Sequence, residues 1–387
     1  MTKLKIIIVG AGAIAHVHTD AYLENSKYCE IVAVCDVFES KAQELIDTKK
    51  LSAKTFKNYA DAFHECGADV VSICSPLSLH AQIAITALEH GLNVLCEKPM
   101  AGSLEECDAM IAAAENNGKL LSLVAQNRYK TPHQKVKKML DDKVAGDVNF
   151  ITVNSLWWRG QNYYDLGWRG TWESEGGGCV MSHAVHHIDL LLWMMGKPQS
   201  VNATVANVAH TNSECEDSCV AALNYSDTLG QLTASLVTHD EEQEMIFQCE
   251  HGRLSVPWKT ASSVALPNGF PQSDDERKKS LESIYNDLPE TKLEGHPAQV
   301  RNLLRAIRGE EELFIDGKQG RDTIELITAI YKSSHIKAPV TLPLLPDDDF
   351  YKKGGIAANM PHFHEKKHSV DNFTQTTPIT LGRDVGK

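Results

Sequence analysis

Residues 5–15 read Lys5-Ile6-Ile7-Ile8-Val9-Gly10-Ala11-Gly12-Ala13-Ile14-Ala15, an apolar run followed by a glycine-rich turn. The run is typical of a buried parallel strand, and the turn has the spacing G-x-G-x-x-A. In a βαβ unit the first glycine makes the turn, the second lets the backbone approach a pyrophosphate, and the small last residue lets the helix pack closely. We therefore predict a dinucleotide site here, with contacts from Gly10, Gly12, Ala13 and Ile14.

An acidic residue follows the second apolar run. Residues 31–35 read as a strand that ends in Asp36. A carboxylate at this place accepts a hydrogen bond from the ribose 2′-hydroxyl and repels a 2′-phosphate. Val37 and Phe38 come next and offer no arginine for such a phosphate. The predicted cofactor is therefore NAD.

Strand and helix patterns alternate up to residue 125. Short apolar runs at 69–74, 93–96 and 120–124 are separated by helical patterns, which cover 40–50, 80–90 and 103–117. Such alternation predicts an α/β fold with a doubly wound parallel sheet. Residues 1–125 are thus expected to form a Rossmann NAD-binding domain.

The pattern changes after Asn127. Alternating segments that predict half-exposed strands lie at 147–153, 200–206, 218–225, 230–237 and 244–249. With few helices between them, they predict an α+β domain over residues 126–346 with a large, mainly antiparallel open sheet. Residues 267–292 are polar and are expected to form an irregular insertion. Residues 347–387 are expected to be an arm on a neighbouring subunit or a loose tail.

Composition narrows the class of partner. The chain has 387 residues, a formal net charge of −13 and a hydrophobic fraction of 42%. This charge argues against nucleic acid, which needs a basic stripe, and against anionic membranes. The first apolar run is too short for a secretory signal or a membrane span. Ten scattered cysteines without a CxxC motif favour a reduced, cytoplasmic setting.

Residues 176–196 combine three glycines with a helical pattern that is rich in histidine. Positions i, i+4, i+7 and i+11 share a face of an α-helix, and they hold Ser182, His186, Asp189 and Trp193. His183 and His187 fall on a second stripe, about 100° away. We predict that the first stripe faces the reaction and that the second lies on its flank. The alternatives are a partly buried helix with hydrogen-bonded histidines, or a zinc site at His183 and His187. Zinc would lack a third ligand, so no metal is predicted.

Further candidates lie at strand ends and in one aromatic loop. Lys98 follows the strand at 93–96, where a lysine can polarise a substrate oxygen. Arg128 could bind substrate or cofactor, or form a salt bridge at the domain junction. Four of the six tryptophans lie in residues 157–172, together with arginines. Aromatic faces with arginines suit a sugar ring, and an oligomer interface is the alternative. The residues predicted to contact a sugar are Arg128, Tyr163, Trp168, Arg169 and His186.

Several motifs in order resemble the Gfo/Idh/MocA family of NAD(P)-dependent sugar and cyclitol oxidoreductases. The resemblance covers residues 3–345. Its motifs are the turn at Gly10 to Ala15, Ser75-Pro76 with His80, Glu97-Lys98-Pro99, Trp168-Arg169 before Gly176-Gly177-Gly178, and His186-x-x-Asp189.

The resemblance implies a Rossmann domain and a C-terminal open sheet that builds homodimers or homotetramers. It also implies that Lys98 and His186 are catalytic. To the cofactor-binding residues we add Ser75, Pro76, His80, Glu97, Lys98 and Gln126. Ser182 stands where the family has an aspartate. His186 could therefore act as a base that Asp189 or Ser182 orients, or His183 could have taken that role.

The expected activity is hydride transfer between NAD and a sugar-like secondary alcohol (pyranose, glycoside, anhydrosugar or cyclitol). His186 is expected to take the hydroxyl proton while Lys98 stabilises the developing alkoxide. A second possibility is glycoside cleavage by transient oxidation and elimination. A third is a non-catalytic sensor of sugar or NAD.

Overall fold

A computed structural model describes residues 2–370 of the chain. The first part contributes alternating strands and helices, namely β1 (Leu4–Val9), α1 (Ala13–Glu24), β2 (Cys29–Cys35), α2 (Glu39–Lys49), β3 (Lys54–Phe56), α3 (Tyr59–Glu65), β4 (Val70–Ile73), α4 (Leu77–Glu89), β5 (Asn93–Cys96), α5 (Leu104–Asn117) and β6 (Leu121–Leu123). The six strands are all parallel, in the order β3-β2-β1-β4-β5-β6. The predicted Rossmann sheet is confirmed.

The strand order of this sheet reverses between β1 and β4, which opens a crevice at the carboxyl ends of the strands. Every residue of β4 and β5 is buried, because helices cover both faces of the sheet. The loops after β1, β2, β4, β5 and β6 therefore open at one edge, where the cofactor residues were predicted.

The second part of the chain builds a second sheet. Its elements are α6 (Thr131–Asp141), β7 (Val148–Leu156), α7 (Trp172–Glu175), α8 (Val185–Met195), β8 (Ser200–Ala206), β9 (Ser218–Asn224), β10 (Leu229–Ser235), β11 (Gln243–Cys249), β12 (Gly252–Val256), β13 (Ser263–Ala265), β14 (Pro271–Ser273), α9 (Asp275–Asp287), α10 (Gly295–Ile307), α11 (Gly317–Ile336), β15 (Val340–Thr341) and α12 (Gly355–Asn359). Seven strands form the sheet β12-β11-β7-β10-β9-β8-β15, while β13 and β14 form a separate hairpin. β7 and β10 pair in parallel and the other neighbouring pairs are antiparallel, which confirms the predicted mainly antiparallel sheet.

The two faces of the second sheet differ. On one face α11 packs along β8, and α8 packs against α11. The side chains of the opposite face alternate with the buried ones and are exposed, among them Asn202, Thr204, Val220 and Ala222. This outer face carries polar and small side chains together with three exposed large apolar ones, Phe150, Val220 and Leu229.

The expectation of an irregular insertion over residues 267–292 is wrong, because this region contains β14 and the helix α9. The Asp274 side chain caps α9 by accepting from the backbone N–H of Arg277 at 2.9 Å. Leu281 is fully buried, and the ring of Tyr285 stacks on Trp258 with centroids 3.9 Å apart. One buried anchor, Leu281, and one half-buried anchor a turn later, Tyr285, hold a helix that is otherwise mostly polar.

Helix α10 returns to the first sheet. Its residues Val300, Leu303 and Leu304 are buried in one cluster with β1 residues such as Ile6 and Ile8. The Asn25 side chain, at the end of α1, also donates to the carbonyl of Pro297 at 2.9 Å. The division of the chain at residues 125 and 346 stays a prediction, and α10 is a later segment that completes the earlier core.

Residues 347–370 pack on their own chain and are not a loose tail, while the alternative of an arm on a neighbouring subunit stays a prediction. The carbonyl of Tyr351 accepts from the Glu105 N–H at 3.1 Å. The indole of Trp172 donates to the carbonyl of Pro361 at 3.2 Å. The remaining part of this prediction, residues 371–387, lies outside the described residues. Among residues 2–370, no helix combines the length and the apolar character that a bilayer crossing requires.

Candidate active site

The glycine turn after β1 is pressed against the end of β4. Gly10 has φ of 94°, and a Cβ atom there would lie 2.5 Å from the Cys74 carbonyl oxygen, so only glycine fits. At Gly12, the N-cap of α1, an added Cβ would meet nothing within 4 Å, and no side chain caps the helix. The first turn of α1, with Ala13 and Ile14, therefore leaves backbone N–H groups facing open space, as a pyrophosphate requires.

Asp36 is fixed next to this turn. One carboxylate oxygen accepts from the N–H of Ala11 at 2.8 Å and the other from Phe38 at 2.9 Å. Val37 and Phe38 are exposed beside it. The carboxylate thus lies at the crevice edge, where the hydroxyls of a ribose would come.

His80 is buried between two strand-end loops. Its ring nitrogens lie 2.9 Å from the carbonyl oxygens of Ser75 and Pro99. Ser75 is half-buried and Pro76 is exposed at the crevice. The contacts of His80 therefore hold the loops after β4 and β5 together, which differs from the direct cofactor contact that we predicted.

Glu97 forms a buried ion pair that the sequence analysis missed. Its carboxylate lies 2.7 Å from Nε2 of His18, on α1, and accepts from the backbone N–H of Lys98 at 3.0 Å. Burial favours the neutral acid, but His18 lowers the pKa of Glu97 to about 2. The pair ties α1 to the loop that carries Lys98. The sequence signal that could have revealed this pair is His18, a histidine on the face of α1 that packs on the sheet.

His296 brings a third possible metal ligand to this pair. Its Nε2 lies 4.0 Å from the Glu97 carboxylate, and the three side chains could surround one ion. However, Cys74 and Glu97 raise the pKa of His18 despite its burial, which keeps a proton on the nitrogen that would bind a metal. This charge state favours an ion pair over a metal site. His183 and His187 do not belong to a metal-sized cluster among the described residues.

Lys98 and His186 line one small cavity between the first sheet and the helices α8 and α11, together with Met100, Leu123 and Asp189. The Lys98 ammonium donates to the carbonyl oxygen of Ser182 at 3.1 Å. Burial lowers the pKa of Lys98, although the nearby Glu97 charge raises it. Burial and the charge of Lys98 lower the pKa of His186 well below its ordinary value. The cavity thus pairs a lysine with a neutral histidine.

The helix that carries His186 begins with a π turn, Val180–Ala184, before α8. This extra width breaks the α-helical spacing on which the predicted stripes depended. The Ser182 hydroxyl donates to Glu175 at 2.8 Å instead of orienting His186. Glu175 stands directly before the glycine run.

His183 does not lie on the flank as predicted. Its ring lies 5.6 Å from that of Trp157 and 5.9 Å from that of Tyr163. Burial and the charges of Arg159, Arg169 and Lys98 lower the pKa of His183. His183 therefore lies near Lys98 and the aromatic loop. His187 is fully buried, as expected for a supporting residue.

Asp189 is held by Arg128 and does not orient His186. The two side chains form a bidentate pair with distances of 2.9 and 2.7 Å. Arg128 is 1% exposed, which agrees with the salt-bridge alternative and not with a direct substrate or cofactor contact. At the end of β6, Gln126 has a buried Oε1 without a hydrogen-bond partner among the described residues. This oxygen remains available to the cofactor.

The glycine run is fixed by a second buried carboxylate. Glu216 accepts from the N–H groups of Gly178 and Val180 at 3.0 Å and from the Tyr331 hydroxyl at 2.9 Å. A Cβ atom on Gly178 would lie 1.7 Å from the Glu216 carbonyl oxygen. The run is therefore needed for close packing against Glu216, just before β9, and the sequence did not reveal this partner.

The aromatic loop divides into core and wall. Trp157 and Trp172 are buried, whereas Trp158 and Trp168 are 46% and 42% exposed. The Arg169 guanidinium lies 4.0 Å from the ring centroids of both Tyr163 and Trp168. Half of the tryptophans predicted to meet a sugar thus serve packing. Trp168, with Arg169 and Tyr163, forms an accessible aromatic surface.

A parallel dinucleotide-binding sheet with a lysine at one strand end, facing a neutral histidine, defines a nicotinamide-dependent oxidoreductase. Residues 4–124 match the oxidoreductase family with a NAD-binding Rossmann fold, and residues 133–255 match the GFO/IDH/MocA C-terminal domain. The chain therefore belongs to the Gfo/Idh/MocA family of oxidoreductases.

Three relatives show the breadth of this likeness. The WlbA dehydrogenase from Bordetella pertussis, solved with NADH and UDP-GlcNAcA, is 31% identical with a TM-score of 0.76, over 89% of this chain and 99% of that one. The D-glucoside 3-dehydrogenase of Escherichia coli is 25% identical over 88% of this chain and 98% of its own. The inositol 2-dehydrogenase of Salmonella paratyphi B is 28% identical over 50% of this chain and 55% of its own.

The residues present fit NAD. The open space beside Gly12 and the uncapped first turn of α1 suit its pyrophosphate. Asp36 suits an unphosphorylated ribose, and the unpartnered oxygen of Gln126 lies at the same sheet edge. NAD is the cofactor that the fold and this chemistry define.

Proposed function

We propose that this enzyme oxidises a secondary hydroxyl of a sugar-like substrate with NAD, the substrate being a pyranose, glycoside, anhydrosugar or cyclitol. The observation that carries the proposal is the position of Lys98 just after β5 and beside His186, where its charge lowers the pKa of the imidazole. The names of the relatives, which act on glucosides and inositol or bind a nucleotide sugar, support the substrate class.

His186 serves as the base. Its lowered pKa keeps the imidazole neutral near pH 7, so that a ring nitrogen can accept the hydroxyl proton. The charge of Lys98 contributes to this lowered pKa. A neutral base and a cation are thus held side by side without neutralising each other.

Lys98 stabilises the substrate oxygen as the proton leaves. Its ammonium has one partner in the structure, the Ser182 carbonyl, and an ammonium has three donors. The remaining donors can face the developing negative charge. When bound, NAD supplies the acceptor for the hydride from the same carbon. Tyr163, Trp168 and Arg169 provide the wall against which a sugar ring packs.

The test is NAD reduction over a panel of methyl glucosides, 1,6-anhydroglucose and myo-inositol, with product analysis by mass spectrometry. We expect NADH to appear with at least one sugar. Lys98→Met and His186→Gln should each lower kcat by about 10² or more, while NADH fluorescence still reports cofactor binding. Near wild-type rates in both variants would contradict these roles.

The same measurement separates the two rival functions. Release of an aglycone without accumulation of NADH would indicate cleavage by transient oxidation and elimination. Binding of NADH and sugar without any turnover would indicate a sensor. The intact pair of Lys98 and His186 favours an enzyme.

We further propose that the protein is a cytoplasmic homodimer or homotetramer. All ten cysteines are free thiols, which suits a reducing compartment. The outer face of the second sheet, with the exposed apolar residues Phe150, Val220 and Leu229, is the surface on which a second copy would pack. The net charge of −13 gives no support for nucleic acid or anionic membrane as a partner.

A further inference from the structure

Glu175 is a buried carboxylate at the wall of the candidate site. One of its oxygens accepts from Nη1 of Arg169 and from the Ser182 hydroxyl, both at 2.8 Å. The other oxygen accepts from the N–H of Gly170 at 2.7 Å. Glu175 is 4% exposed. These contacts place one fixed negative charge against the arginine that the substrate would meet.

Arg169 is the cation of this wall that is closest to the reaction. Its guanidinium is held between the rings of Tyr163 and Trp168, and its charge acts on both Lys98 and His183. An arginine in this position would ordinarily attract a carboxylate on the substrate. Glu175 already supplies the carboxylate that pairs with Arg169.

The other arginines near the site are also paired. Arg159 binds Glu241 at 2.8 Å, and Arg128 binds Asp189 at 2.7 Å. Lys98 remains, and the proposed reaction uses its charge for the substrate hydroxyl. Among the described residues that form the wall, each arginine therefore has its own carboxylate.

We propose that Glu175 is a specificity-determining residue, which neutralises Arg169 and so makes the site select an uncharged sugar over the corresponding uronate. This inference rests on the proposed function. A uronate carboxylate beside Arg169 would also lie within a few ångström of Glu175. In a partly buried site, two carboxylates at such a distance repel each other strongly.

The experiment compares kcat/KM for methyl β-D-glucoside and methyl β-D-glucuronide at saturating NAD, from the initial rate of NADH formation. The wild-type enzyme should prefer the glucoside by about tenfold or more. In Glu175→Gln, Arg169 is no longer neutralised, so the glucoside-to-glucuronide ratio should fall by about tenfold or more. The glutamine oxygen can still accept from Ser182, which limits the structural change.

Two further variants test the direction in which each charge changes the glucoside-to-glucuronide ratio. Arg169→Gln leaves the Glu175 charge without its partner, so the ratio should rise above the wild-type value. The double variant Arg169→Gln/Glu175→Gln removes both charges, and its ratio should return to within about threefold of the wild type. Glu244→Gln, which removes a half-buried pair with Arg253 on the second sheet, is the matched control and should leave the ratio unchanged.

The outcomes separate the two proposals. No NADH with any sugar would contradict the proposed function and with it the role of Glu175. NADH formation with an unchanged ratio in Glu175→Gln would contradict the role of Glu175 alone. If that variant does not fold, Arg169→Gln decides the matter, because a ratio that stays or falls there overturns the inference.

Discussion

Around the candidate site, single carboxylates pair with the basic side chains. Glu97 holds His18, Glu175 holds Arg169 and Asp189 holds Arg128. Each pair is largely buried, where an unpaired charge would be costly. The pairs leave Lys98 as the cation without a carboxylate partner within salt-bridge distance among the described residues, and this fits the role proposed for it at a developing alkoxide.

The pKa values of two residues predict the pH dependence of the reaction. His186 must be neutral, and its pKa lies well below 6.5, so activity is lost only as pH falls far below that value. Lys98 must be charged, and its pKa lies below 10.5, so activity is lost as pH rises towards that value. We expect a bell-shaped kcat/KM profile whose acid limb lies below pH 6.5 and whose alkaline limb lies below pH 10.5.

The profile should be measured in three-component buffers at constant ionic strength, with NAD saturating at each pH. Glu244→Gln serves as a control for an unrelated loss of charge and should leave both limbs in place. An acid limb at or above pH 6.5 would contradict the assignment of His186 as the base.

For single residues, the sequence predicted their location in the fold better than their hydrogen-bond and ion-pair partners. The candidates after β1, β2, β5 and β6 could be found because the ends of parallel strands meet at one edge. The partners of Ser182 and Asp189 could not be found. Their contacts depend on a π turn and on a loop fold, and neither has a periodic signature.

Among the elements, the π turn before α8 has the clearest effect. It follows the glycine run and places the Ser182 carbonyl within reach of Lys98. A regular α-helix would direct this carbonyl along the helix axis, towards the N–H four residues later. Helical spacing correctly predicted a helix here. It assigned His183 to the wrong side because the irregular turn changes the rotation per residue.

Glu216 holds the start of the π turn, and the effect of its titration on the stability of the protein should be measurable. Burial raises the pKa of Glu216 to about 7, although its hydrogen bonds lower it. A carboxyl whose pKa is raised on folding favours the folded state below its unfolded pKa of about 4.5, and this contribution is lost as pH rises through about 7. Glu216→Gln should remove that dependence.

We expect Glu216→Gln to lower the free energy of unfolding by about 1–3 kcal/mol at pH 5, because one of the N–H groups of the glycine run loses its acceptor. The deficit relative to wild type should shrink between pH 5 and pH 8, as followed by urea denaturation. Glu173→Gln, at an exposed position of α7, is the control. A deficit that grows with pH would contradict the raised pKa.

For the whole molecule, hydrophobic periodicity was sufficient to predict both sheets. Alternation in the second half and buried runs in the first gave the architecture, because each reflects which faces are covered. The helix α9 was not predicted, because it depends on Leu281 and on one stacked ring pair in a segment that is otherwise polar. The packing of residues 347–370 on their own chain was not predicted, because their contact partners are distant in sequence.

Assembly can be tested on the outer face of the second sheet. Val220 is 58% exposed in β9, surrounded by Thr204 and other small or polar residues. Val220→Glu should convert the proposed oligomer into monomers, because it places a charge in the centre of the interface. Light scattering after size exclusion measures the mass. Leu345→Glu, at a position that is 61% exposed in the loop after β15, should leave the mass unchanged. Unaltered assembly in Val220→Glu would contradict this interface.

The return of α10 to the first sheet has a consequence for synthesis of the protein. A ribosome releases residues 4–124 long before it releases Val300, Leu303 and Leu304, which fill the core between β1 and α1. The nascent cofactor domain therefore exposes an apolar groove while most of the chain is still being translated. The cofactor half reaches its final packing only after most of the substrate half has been made, so the two halves mature as one unit.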